Sequence, residues 1–120
     1  MKTLLILFIA LQTVFGGRAE FDKTVHDFGT ITMADGAQRC VFTVTNKGSK
    51  PLTILSAITS CGCTGAEWTR ESIQPGGKGT IDVVFKNEDG AYPFDKTVTV
   101  YLSDIKKPVI LHLKGVVAKK

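Results

Sequence analysis

A chain of 120 residues with 15 Lys and Arg against 11 Asp and Glu, formally +4, has the size of one domain. The charge excess is modest, and most lysines are dispersed between apolar runs. They do not form the clustered basic stripe of a nucleic-acid surface, so no nucleic-acid partner is expected. The apolar share of 43% supports a packed core, while 3 cysteines cannot all pair within one chain.

The first nineteen residues read as a secretory leader. Lys2 supplies the positive start, and Leu4 to Phe15 form an apolar stretch interrupted only by Gln12 and Thr13. Gly17-Arg18-Ala19 places small residues where a signal peptidase reads them, so cleavage is expected after Ala19. The stretch is shorter than the roughly 20 apolar residues of a spanning helix, so no membrane span is expected after cleavage. No cysteine precedes Cys40 to accept a lipid. The expectation is an exported protein, periplasmic or secreted, whose residues 20–120 form one domain. Lys2 and Arg18 leave with the leader and take two positive charges away.

The remainder has almost no helical period. Short runs rich in Val, Ile, Thr and Phe alternate with Gly- or Pro-bearing turns, the pattern of an all-β sandwich. Thr24 to Phe28 predict a first strand, with a continuation from Ile31 before Asp35-Gly36 turns the chain. In Gln38 to Thr45, Cys40, Phe42 and Val44 share one face. Asn46-Lys47-Gly48-Ser49 is a turn, and Pro51 opens a strand from Leu52 to about Thr59. Glu67-Trp68-Thr69 reads as a short edge strand, and Pro75-Gly76-Gly77 leads into Thr80 to Lys86, with Ile81, Val83 and Phe85 inward. Lys96 to Leu102 place Val98, Val100 and Leu102 inward and Thr97, Thr99 and Tyr101 outward. Pro108 starts a last strand with Val109, Leu111 and Leu113 on one face. The count is about seven strands, an immunoglobulin-like β-sandwich.

Several pieces occur in a characteristic order: Phe28-Gly29, Asn46-x-Gly48 with Pro51-Leu52-x-Ile54, Ser60-Cys61-Gly62-Cys63-Thr64, Ile73-x-Pro75-Gly76, and Leu111-x-Leu113-x-Gly115. Together they resemble the exported bacterial family known as domain of unknown function 1573. That family is similar to ASPM–SPD-2–Hydin domains and, more distantly, to major-sperm-protein and pilus-chaperone sandwiches. The resemblance implies a sandwich fold and an exported life, and it supplies no activity.

The chemistry of the chain concentrates in Cys61 and Cys63, framed by Ser60, Gly62 and Thr64. Cys40 should lie at the same end of the sandwich, because the strand it opens and the strand ending near Thr59 run in opposite directions. Three readings stay open. One is a disulfide, either Cys61–Cys63 or Cys40 with one of the two; a bond across a single residue requires a sharp bend, which Gly62 favours, and export favours oxidation. Another is a soft-metal site for copper or zinc built on Cys61 and Cys63, with Cys40 as a third sulfur. The last is thiol–disulfide exchange, for which no helix N-terminus or adjacent cation follows Cys63.

No other catalytic arrangement is legible. His26 and His112 lack a serine in a Gly-x-Ser-x-Gly turn, and Pro75-Gly76-Gly77-Lys78-Gly79 lacks phosphate-loop spacing. No catalytic residues and no cofactor are expected, with a metal ion at the cysteines left open. Trp68 reads as a core or rim aromatic; together with Tyr92, Phe94 and Tyr101 it also fits a contact surface. The leading functional reading is a non-enzymatic, exported module that binds a protein partner or builds the cell envelope.

Overall fold

The structure, a computed structural model, describes residues 18–119. The leader reading therefore falls outside the described residues for positions 1–17, while Arg18 and Ala19 fall inside them. Eight strands form: β1 (Ala19–Phe21), β2 (Val25–Thr32), β3 (Gln38–Asn46), β4 (Ile54–Thr59), β5 (Thr64–Trp68), β6 (Lys78–Phe85), β7 (Tyr92–Leu102) and β8 (Val109–Ala118). They build two four-stranded sheets, ordered β1-β3-β6-β5 and β2-β8-β7-β4. All pairings are antiparallel except β2 with β8.

Period-two alternation decides which residues are covered. Phe42, Val44, Ile81, Val83 and Phe85 from one sheet meet Val98, Val100, Leu111 and Leu113 from the other in a fully buried layer. Burying such side chains contributes roughly 1.5–3 kcal/mol each, which is what holds the sheets together. Phe85 and Phe94 stack across the layers with ring centroids 4.3 Å apart.

Two differences from the sequence reading have local causes. β1 is added because Ala19, assigned to the leader, pairs with Asn46 and is 2% exposed. β7 begins at Tyr92, four residues earlier than expected, despite Pro93. Its partner β4 reaches only to Val98, so Pro93 sits where β7 has a free side and its missing N–H interrupts no ladder there.

Among the connections that cross between the sheets are β4–β5, Ser60 to Cys63, and β6–β7, Lys86 to Ala91. Both connections lie at the same pole, because Thr64 pairs with Phe85.

Candidate functional site

That pole carries the Cys-Gly-Cys loop, and hydrogen bonds from both sides hold it. The Ser60 N–H donates to the Thr97 carbonyl at 2.9 Å, and the Thr97 N–H returns a bond to Ser60 Oγ at 3.0 Å. The Thr64 N–H donates to the Cys61 carbonyl at 3.1 Å, closing a tight turn, and the Lys86 N–H donates to the Cys63 carbonyl at 2.8 Å. Within this frame the Sγ atoms of Cys61 and Cys63 lie at bonding distance, with Cα atoms 5.1 Å apart. The Cys63 N–H points at Cys61 Sγ, 3.1 Å away, and Thr64 Oγ1 lies 3.5 Å from Cys63 Sγ.

Gly62 does not supply the bend through unusual backbone freedom. Its φ lies outside the left-handed region, and a Cβ there would meet no atom within 4 Å. The turn is held by the backbone hydrogen bonds instead.

Cys40 occupies the expected pole but does not join the pair. It faces Val83 of β6, and Val83 in turn faces Ala66 of β5, so a whole strand separates Cys40 from the loop. Its thiol is free and buried. Burial, the largest influence, pushes its pKa up to about 11 despite the opposing charge of Lys23. Sequence reasoning placed the strand ends correctly but could not see that β6 inserts between β3 and β5.

The residue that the sequence reading missed is Asp89, exposed in the β6–β7 connection. A ligand atom from each of Cys61, Cys63 and Asp89 lies within 4.8 Å of the others. Nothing local in Asn87-Glu88-Asp89-Gly90 marks it, since a polar loop of that composition is ordinarily a solvated turn.

The histidines are engaged elsewhere. His112 Nδ1 lies 2.7 Å from Asp95 Oδ1, and its lateral neighbours in the sheet are Val25 and Thr97. His26 lies against Phe28 and 3.1 Å from Lys23 Nζ; burial and then Lys23 hold its pKa below the usual histidine range. Trp68 is a rim aromatic, packed against the core with the Arg70 guanidinium 4.1 Å from its ring.

The family profile for a protein of unknown function, DUF1573, matches residues 19–117. The chain belongs to the DUF1573 family. A Porphyromonas gingivalis protein of unknown function is similar in structure to this DUF1573 chain, with a TM-score of 0.71 and 20% identity over 82% of the chain and 46% of that protein. The Vibrio cholerae VesB protease gives 0.62 and 16% over 82% of the chain and 32% of the protease. The chain thus spans less than half the length of these two proteins. The ASH / PapD-like domain 7 of human CEP192 gives 0.59 and 12%, over 96% of each chain. At these identities the likeness establishes the immunoglobulin-like fold. No curated protein matches the sequence.

The residues on which the DUF1573 resemblance rests serve mainly architecture. Buried Asn46 donates from Nδ2 to the carbonyls of Lys50 and Ile73, at 2.7 and 2.8 Å, and accepts the Gly48 N–H at 2.9 Å. Its own carbonyl accepts the Gly76 N–H, so the Asn46-x-Gly48 and Ile73-x-Pro75-Gly76 pieces are one knot. Gly29, with φ +73°, lies at an irregularity in β2 pairing, and its carbonyl would lie 2.8 Å from a Cβ placed on Gly115. The Ser60-to-Thr64 piece is the one that carries chemistry.

Proposed function

We propose that this chain is an exported, non-enzymatic module that binds a protein partner in the cell envelope through the outer face of the β2-β8-β7-β4 sheet. The observation that carries the reading is the exposed apolar row on that face. Ile58, Thr99 and Ile110 stand side by side across β4, β7 and β8, with Tyr101 on the next row and Leu55 at the bulge of edge strand β4. Ile58 is 55% exposed, Leu55 59%, Tyr101 43% and Ile110 42%. Grouped exposed apolar side chains rimmed by polar residues mark interaction surfaces. Exposed Lys106 and Lys107, in the adjoining β7–β8 connection, favour a partner with acidic groups around its apolar contact.

The opposite sheet presents a different surface. Its outer face carries Arg39 and Asp82, 3.6 Å apart, with Glu67, Thr43 and Thr80 around them and, among the described residues, a single exposed large apolar side chain, Val41, beside Asp82. Thr97, Thr99 and Tyr101, outward on β7 as the alternation predicts, belong to the apolar face described above. β7 is interior to its sheet, so these residues offer a face, and the free edge beside them belongs to β4. The leader-like N-terminal sequence supports export, and no helix among the described residues is long and apolar enough to cross a membrane.

A photo-crosslinking residue at Ile58, compared with one at Glu67 on the polar face, tests this in the native cell. The expected result is a discrete adduct from position 58 that Leu55→Asp removes, on protein recovered in the exported fraction with a shortened N-terminus. The same adduct from both positions, no adduct from position 58, or a full-length cytosolic chain would overturn the reading.

A further inference from the structure

We propose that Cys61, Cys63 and Asp89 form a redox-gated site for a thiophilic divalent cation of the zinc type. Two observations on the β4–β5 and β6–β7 connections lead there, and they are independent of the apolar face. Two sulfurs and a carboxylate oxygen already gather within 4.8 Å of one another. Around a tetrahedral ion with zinc–sulfur bonds of about 2.3 Å and zinc–oxygen bonds of about 2.1 Å, ligand atoms stand roughly 3.5–3.8 Å apart. The cluster therefore needs the two sulfurs to separate and the Asp89 carboxylate, now within 4.8 Å of both, to settle at ligand spacing. Both sulfurs also have a polar neighbour, the Cys63 N–H at Cys61 and the Thr64 hydroxyl at Cys63. Such donors orient and stabilise metal-bound thiolates.

The mixed ligand set selects the ion. Two thiolates with one carboxylate suit a borderline divalent cation, whereas Cu(I) favours sulfur alone. Asp89 is exposed and Cys61 partly so, which leaves the fourth position to water. Cys40 takes no part, because β6 stands between it and the loop.

The disulfide closes the site, since neither sulfur then has a thiolate to give. Opening it takes two electrons and two protons from an external dithiol, which leaves as its own disulfide while Cys61 and Cys63 become thiols. The cation then displaces one proton from each thiol and binds the two thiolates and the Asp89 carboxylate. Re-oxidation of the pair by a disulfide oxidant expels the ion, so the loop would convert redox state into metal occupancy.

Titrating the folded, reduced protein with Co(II) under argon tests this, with sulfur-to-cobalt charge transfer as the readout and Zn(II) as competitor. The expected result is one Co(II) per chain, displaced by Zn(II), with no uptake by the oxidised protein. Cys63→Ser should abolish the band, Cys40→Ser should leave it unchanged, and Asp89→Asn should keep a band but weaken binding at least about tenfold. Circular dichroism of each variant confirms that it is folded. Failure of the reduced protein to bind Co(II), uptake by the oxidised protein, or unaltered affinity in Asp89→Asn would each overturn the proposal.

Discussion

Opening the Cys61–Cys63 link should destabilise the fold only slightly. A disulfide that closes a loop of n residues removes chain entropy from the unfolded state as about 2.1 + 1.5R ln n cal/mol/K, and for the three residues here that amounts to about 1.6 kcal/mol at 25 °C. None of the bonds that frame the loop uses a sulfur atom: Thr64 N–H to the Cys61 carbonyl, Lys86 N–H to the Cys63 carbonyl, and the Ser60–Thr97 pair. By contrast, Phe85→Ala, which removes a fully buried ring stacked on Phe94, should cost roughly 3–5 kcal/mol. Urea unfolding of one sample before and after phosphine reduction checks the difference. With a slope of about 1–3 kcal/mol/M, the midpoint should fall by roughly 0.5–1.6 M and the slope should hold. A loss above about 3 kcal/mol, or a changed slope, would refute the reasoning, because the link would then be a structural staple and not a chemically free pair.

Four further outcomes follow from the packing. Asn46→Ala should destabilise by about 2–4 kcal/mol in the same assay, since it removes three hydrogen bonds of a buried side chain and leaves the part-buried Gly48 N–H without its acceptor. Gly115→Ala should lower stability by roughly 1–3 kcal/mol, because its Cβ would press on the Gly29 carbonyl at 2.8 Å and the Phe94 ring at 3.1 Å. Cys40 has a folded-state pKa raised from 9.0 to about 11, so its contribution to stability is intact below pH 9 and is lost as pH rises through about 11; thiol-reagent kinetics should show it unreactive at pH 8 until the chain unfolds. A domain starting at Glu20 should unfold more easily than one starting at Arg18, by about 2 kcal/mol, because Arg18 Nη2 donates to the carbonyls of Lys50 and Pro51 at 2.9 Å and its own carbonyl accepts the Lys47 N–H. Denaturation curves of the two decide it.

Much of the sandwich is written in local pattern. The inward sets Cys40-Phe42-Val44, Ile81-Val83-Phe85 and Val98-Val100-Leu102 are buried as alternation predicts, because a strand's side-chain period is two whatever its partners. β1 was not legible: three residues carry too little pattern, and Ala19 looks the same in a leader as in a strand. The role of Asn46 was legible only as a turn, since its partners at Lys50 and Ile73 depend on how distant segments meet.

The site divides the same way. Sequence alone determined that Cys61 and Cys63 are close, because one residue separates them, and that they follow a strand at one end of the sandwich. Tertiary structure decided the rest: β6 lies between Cys40 and the pair, and the β6–β7 connection brings Asp89 to the sulfurs. Strand order is set by long-range pairing and burial, which no short window of residues encodes, and so the composition of this polar cap became visible only in the folded chain.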